Sequence, residues 1–166
     1  PNLNLINEID HANIGSAQAL AWSNNGSYLA VGLKNSKVLH IYPTNNGILS
    51  TVILGDYAAG NVSVQDNAIS WHNSDEFIAV GAQEFGDDLF IFSFDGNVLE
   101  KSESVSLSIG VNALDWIPNA NILAVGLQSN FESLRLYTFN LTSKKLEEIA
   151  SSRVGLTDRI YSIAWS

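Results

Sequence analysis

The chain contains no cysteine and no methionine, only three prolines, and eight Lys plus Arg against seventeen Asp plus Glu in 166 residues. Without thiols there are no disulfides, no cysteine nucleophile and no zinc–thiolate centre. The shortage of cations leaves a net charge of −9, and the basic residues are scattered, Lys144-Lys145 being the one adjacent pair. A phosphate backbone would be repelled by such a surface, so nucleic acid is not an expected ligand. Long apolar runs are missing too: no stretch approaches the roughly 18–20 residues of a membrane helix, and no signal-peptide pattern is seen. What is present is a core-forming composition, 46 % hydrophobic and 15 % charged. At about 100–200 residues per domain this predicts one folding unit, or a piece of a larger one.

A repeat organises the sequence. Its four tryptophans stand at Trp22, Trp71, Trp116 and Trp165, each at the end of a short apolar string: Ala19-Leu20-Ala21, Ala68-Ile69-Ser70, Ala113-Leu114-Asp115 and Ser162-Ile163-Ala164. Downstream of the first three comes Leu29-Ala30-Val31-Gly32, Ile78-Ala79-Val80-Gly81 or Leu123-Ala124-Val125-Gly126, always ten residues from Trp to Gly. A constant spacing predicts a rigid hairpin. The turns, Asn24-Asn25-Gly26-Ser27, Asn73-Ser74-Asp75-Glu76 and Pro118-Asn119-Ala120-Asn121, use residues that tolerate tight-turn dihedrals.

A third segment in each unit alternates bulky residues with the period of a strand: residues 38–42, Leu89–Phe92 and Leu134–Tyr137. A fourth, more polar segment follows at 48–54, 97–105 and 145–151, suited to a strand with one side in water. Gly, Asn, Asp and Pro punctuate the chain too often for a useful helical stretch. Four strands per unit of 45–49 residues match a blade of an all-β propeller. The narrow Ala-Val-Gly segment then belongs where blades crowd together, and the Trp between adjacent blades.

The units resemble tryptophan-aspartate (WD) repeats. Residues 21–32 resemble the turn and second strand of that family, and Tyr42, Phe92 and Tyr137 fall where its signature Trp usually stands. Two features diverge: Pro43, Ser93 and Thr138 replace the Asp after that Trp, and no Gly-His pair precedes the first strand, Gly155-Leu156-Thr157-Asp158 being the nearest approach. The resemblance implies a non-enzymatic scaffold that holds a protein or peptide on its rim loops, without a cofactor.

The predicted layout is a blade-completing outer strand in 1–15, blades at 16–60, 61–107 and 108–153, and the first strand of a further blade in 154–166. Propellers typically have four to eight blades, so three complete units do not close a ring. The expectation is that the chain, which starts at Pro1, is a portion of a longer propeller, or that copies assemble into a homo-oligomeric ring.

No residue pattern suggests a catalytic or metal centre. His11, His40 and His72 occupy different repeat positions and none has a second ligand at metal spacing. No nucleophile turn or phosphate-cradling glycine loop is present. Candidate partner-binding residues lie in the loops between second and third strands: Glu84, Phe85, Asp87 and Asp88 in the middle unit, and Phe131 in the third. Tyr57, in the connection between the first two blades, joins them, because exposed aromatics beside charges anchor protein interfaces. The acidic run lacks the regular spacing of a calcium loop. Two other readings remain open: a glycan-binding propeller that stacks sugars on aromatics, and a portion of a propeller enzyme. Against the first, the repeated Trp sits in an apolar strand and reads as core.

Overall fold

The structure, a computed structural model, describes residues 5–9, 15–34, 39–50, 55–57, 64–83, 87–129, 133–152 and 158–165, and among these described residues the alternating and continuous apolar segments become thirteen strands. No helix occurs among the described residues. The first blade contains β1 (Ala17–Trp22), β2 (Tyr28–Leu33), β3 (Leu39–Asn45), β4 (Ile48–Leu49) and β5 (Gly55–Tyr57). The second contains β6 (Val64–Trp71), β7 (Phe77–Ala82), β8 (Leu89–Phe94) and β9 (Leu99–Val105). The third contains β10 (Val111–Trp116), β11 (Ile122–Leu127), β12 (Leu134–Asn140) and β13 (Lys145–Ser152). Within each blade, strands pair antiparallel in chain order. In the first blade, β4 and β5 both pair with β3 and share the fourth-strand position.

Register repeats along with sequence. Trp22, Trp71 and Trp116 lie opposite Leu29, Ile78 and Leu123, and each first strand carries a register irregularity near its start. The turns take the left-handed backbone their residues allow: φ is +70° at Gly26, +58° at Asp75 and +61° at Asn119.

The second strand of each blade is nearly all buried because it has a neighbour on both faces. Side chains alternate across a strand, so one set points forward to the next blade and the other back to the preceding one. Ala30, Leu39 and Ile41 of the first blade face Ile69, Trp71, Ile78, Val80 and Phe92 of the second. Phe77, Ala79, Leu89 and Ile91 then face Leu114, Trp116, Leu123, Val125 and Tyr137 of the third. Tyr42, Phe92 and Tyr137 fill equivalent buried positions. The backward face of the first blade, Leu29, Val31, Leu33 and Tyr42, has Ile9 packed on it.

The tryptophans mark the same direction. Trp71 is 5 % and Trp116 3 % exposed, whereas Trp22, on the backward face of the first blade, is 52 % exposed. The Trp71 Nε1 donates to the Ala21 carbonyl of the preceding blade at 3.0 Å, and Trp165 Nε1 repeats the contact to Asp115 O at 3.4 Å. Ile160 and Ile163 crowd Gly126 as Val64 and Ile69 crowd Gly32. Residues 158–165 therefore lie on the third blade in the place of a next first strand, and residues 5–9 flank the first blade through Asn7, whose Oδ1 accepts from Leu49 N at 3.1 Å. Neither segment has ladder pairing among the described residues.

Turn residues strap the blades together along one rim. Asn24 Nδ2 donates to His72 O at 2.9 Å, and its repeat equivalent Asn73 donates to Ile117 O at 3.1 Å. The Asp75 carboxylate accepts from Asn24 N at 2.6 Å, Asn24 Nδ2 at 2.8 Å and Asn25 N at 3.0 Å. Bonds to an ionised acceptor are stronger than neutral ones. Asp75→Ala should therefore lower unfolding stability by about 1.5 kcal/mol in a denaturant titration. Asp75→Asn, which keeps an acceptor oxygen and tolerates the left-handed backbone, should lose less.

Candidate functional site

Each blade has two ends, and the hairpin order fixes which loops share one. The turns after the first and third strands meet on one rim: Phe94 N donates to Glu76 O, and Phe139 N to Asn121 O, at 2.9 and 2.8 Å. The loops after the second strands lie on the opposite rim, where Ala82 N donates to Asp88 O at 2.8 Å.

Of the candidate residues chosen from sequence, Asp87 and Asp88 lie on that second rim. Glu84, Phe85 and Phe131 lie outside the described residues. Asp87 is half-buried in the same loop, but Asp88 is buried. Its Oδ2 accepts from Leu107 N at 2.9 Å and its backbone N donates to Val105 O at 3.1 Å. This aspartate ties the loop to the connection leading into the third blade, so its carboxylate is committed within the fold and is not offered at the surface. Tyr57 is not in an inter-blade connection: it belongs to β5 and pairs with Leu39. Its neighbours from Gly55 onward can complete the ladder, which the sequence expectation ended at residue 54.

The first rim carries a feature that the sequence reading passed over. A groove of about 510 Å³ opens between the second and third blades, lined by Glu76, Phe77, Ser93, Phe94, Asp95, Val98, Glu100, Leu141 and Lys144. Its floor is rigid. Phe77 is buried and meets Phe139 of the third blade edge to face at 5.0 Å between centroids, whereas the Phe94 ring turns the other way, onto Tyr28 and Trp71. Its apolar walls are Val98, 50 % exposed, and Leu141, 42 % exposed, one from each blade.

Both walls stand on well-bonded turns. Asp95 Oδ1 accepts from Val98 N at 2.7 Å and Asn97 N at 2.9 Å, with Gly96 at φ +95°. Asn140 Oδ1 accepts from Ser143 N at 2.9 Å and Thr142 N at 3.0 Å, and Lys144 N donates to Asn140 O at 2.7 Å. The amides of Val98 and Asn97 hold the Asp95 carboxyl below its ordinary value of 3.8. A depressed carboxyl favours the folded turn above the ordinary value, and that contribution disappears as pH falls through the lowered one. Just outside the groove, Lys145 Nζ reaches Glu103 Oε2 at 2.9 Å, joining the outer strands of the two blades.

Charge is uneven across this groove. Glu76, Asp95 and Glu100 all come from the second blade, and Lys144 comes from the third. A sequence signal existed, since Val98 and Leu141 are aliphatic residues set in otherwise polar turns. Their meeting across a blade boundary, however, depends on the packing of whole blades.

The Trp and His residues serve mostly within the stack. His72 Nε2 lies 3.0 Å from Asn121 Oδ1 of the third blade, and its ring stands edge-on to Trp116 at 4.9 Å. Half-exposed Trp22 and Trp165 border a smaller recess of about 340 Å³ with Asn24, Asn73 and Asp115. No cluster of three or more His, Asp or Glu suited to a metal occurs among the described residues.

No family model and no curated protein sequence matches the chain. Solved structures do. Sqt1 of Saccharomyces cerevisiae superposes with a TM-score of 0.73 at 16 % identity over 92 % of this chain and 39 % of that one. A chain of the mitotic checkpoint complex gives 0.71 at 17 % identity over 88 % of this chain and 43 % of its own. The periplasmic gluconolactonase PpgL of Pseudomonas aeruginosa gives 0.67 at 20 % identity, over 84 % and 40 %. These likenesses establish the β-propeller fold. The chain spans about two fifths of the length of these propellers.

Proposed function

We propose that the chain is a non-enzymatic scaffold that holds a protein or peptide segment along its turn rim, with the groove between the second and third blades as the contact. The observation that carries this reading is the pair of exposed aliphatic walls, Val98 and Leu141, over the buried Phe77 ring that packs on the third blade. Binding on a preorganised surface costs little ordering of the receptor, and the turns on both sides are already fixed by their own hydrogen bonds. Burying exposed apolar side chains on contact supplies the drive. No turnover is assigned to the site; its chemistry is shape, burial and hydrogen bonding.

The test is panning of the intact chain against a phage-displayed random peptide library, followed by the double variant Val98→Asp/Leu141→Asp. Both positions are exposed, so stability should stay within about 0.5 kcal/mol per substitution. Selected peptides should bind the variant at least tenfold more weakly. A selection that yields no peptide dependent on these two residues overturns the reading.

A glycan-binding alternative draws support from one place, the recess bordered by half-exposed Trp22 and Trp165. Indole faces suit apolar sugar faces. Binding on a glycan array that Trp22→Ala abolishes in a still-folded chain would favour it over the peptide reading.

A further inference from the structure

We infer that the occupant of the groove is an extended basic peptide segment, with an aliphatic side chain between Val98 and Leu141 and an adjacent lysine or arginine facing Glu76, Asp95 and Glu100. The inference rests on the binding reading above and deepens it by naming the partner's chemistry.

Three observations support it. First, the groove is set by the two blades themselves: β9 and its turn form one side and the turn before β13 the other, so both walls belong to complete, mutually packed sheets. A trough between two parallel hairpin turns suits a single extended chain, whose side chains alternate between floor and rim.

Second, the rim carries three carboxylates on the second-blade side and one ammonium on the third-blade side. The charge is therefore directional. A partner's cation belongs over the second blade, and an anion or chain terminus beside Lys144. Both turn amides bond to Asp95 Oδ1, and the exposed Asp95 lines the groove, where its carboxylate can accept from a further donor. An arginine fork, with its fixed donors, would suit such an oxygen and a neighbouring glutamate together.

Third, the whole chain carries −9. A basic segment is drawn toward such a surface before contact, and an acidic one is held off. The groove and the long-range field thus select the same partner.

The experiment uses two pools of fluorescein-labelled nine-residue peptides, identical except for a fixed central Leu-Arg in one and Leu-Glu in the other. Anisotropy titration of the intact chain should show the Arg pool binding about tenfold more tightly, as two or three exposed charge contacts allow. That preference should shrink as salt rises from about 0.05 to 0.5 M. Glu76→Lys/Glu100→Lys should reverse it, and Val98→Asp/Leu141→Asp should remove the binding of both pools. Both double variants alter exposed side chains, so a circular-dichroism melt should leave the fold intact. Equal binding of the pools, preference for the Glu pool, a preference that survives the charge swap, or no binding of either pool overturns the inference. If library panning still returns Val98- and Leu141-dependent peptides of another composition, the scaffold reading stands without it. If panning returns none, the reading itself has failed.

Discussion

Trp71→Ala should lower the unfolding free energy by about 3–5 kcal/mol, whereas Trp22→Ala, at the same repeat position, should cost about 1 kcal/mol or less. The residue type and the repeat position are the same in both, so the contrast reports chiefly on the neighbouring blade. Trp71 is 5 % exposed and lies on the first blade, stacked near Tyr28 at 6.3 Å and edge-on to Phe94 at 6.1 Å. Its removal leaves a cavity in the inter-blade core and breaks the Nε1 bond to the Ala21 carbonyl. Trp22 is 52 % exposed and borders the open recess, so truncation leaves little void. Urea titrations of the two variants decide the matter. Equal losses would show that the indoles do not report on blade stacking.

Gly81→Val should be the second severe change, costing about 3 kcal/mol through overpacking. A Cβ at this position would lie 2.8 Å from Val111 Cβ and 2.9 Å from Ala68 Cβ. Both atoms are side-chain stems fixed to the third and second blades, and neither can rotate away. The branched methyls of valine would drive further into β10, so two packed sheets must separate. Gly47 offers a control of opposite kind. It stands at φ +77° with nothing within 4 Å of an added Cβ, so Gly47→Ala should cost only about 1 kcal/mol, from backbone strain alone. A thermal melt that ranks Gly47→Ala above Gly81→Val would contradict the assigned close approach of the blades.

The sequence carried the first three strands of each blade because each unit repeats one physical problem. Strand two must be narrow and apolar on both sides, and the identical Ala-Val-Gly segment answers that in Gly32, Gly81 and Gly126 alike. Trp71 and Trp116 were legible as inter-blade core for the same reason. The fourth strand of the first blade was less legible: polar edge strands are weakly specified by side-chain pattern, and here two short pieces, β4 and β5, share the work. Tyr57 thereby moved from a connection into a ladder.

The site was harder to read than the fold. An acidic loop was visible in Asp87 and Asp88, but sequence cannot tell a carboxylate that faces water from one that caps a buried amide, which is what Asp88 does for Leu107. Val98 and Leu141 lie 43 positions apart in the chain, and only the lateral packing of β9 against β13 brings their turns to one groove. The straps from Asn24 to His72 and from Asn73 to Ile117 were equally hidden. They follow from blade geometry, although the repeated asparagine was in plain view.

Everything on the rim depends on neighbouring blades being pressed together at the glycine of the second strand. A double-mutant cycle of Gly81→Ala with Val111→Ala measures that contact. If the blades meet as described, trimming Val111 relieves the crowding, and the double variant should be more stable than the two single losses sum to, by about 1 kcal/mol. Losses that add within about 0.3–0.5 kcal/mol would mean that Gly81 and Val111 do not touch, and the stacked-blade account would be wrong.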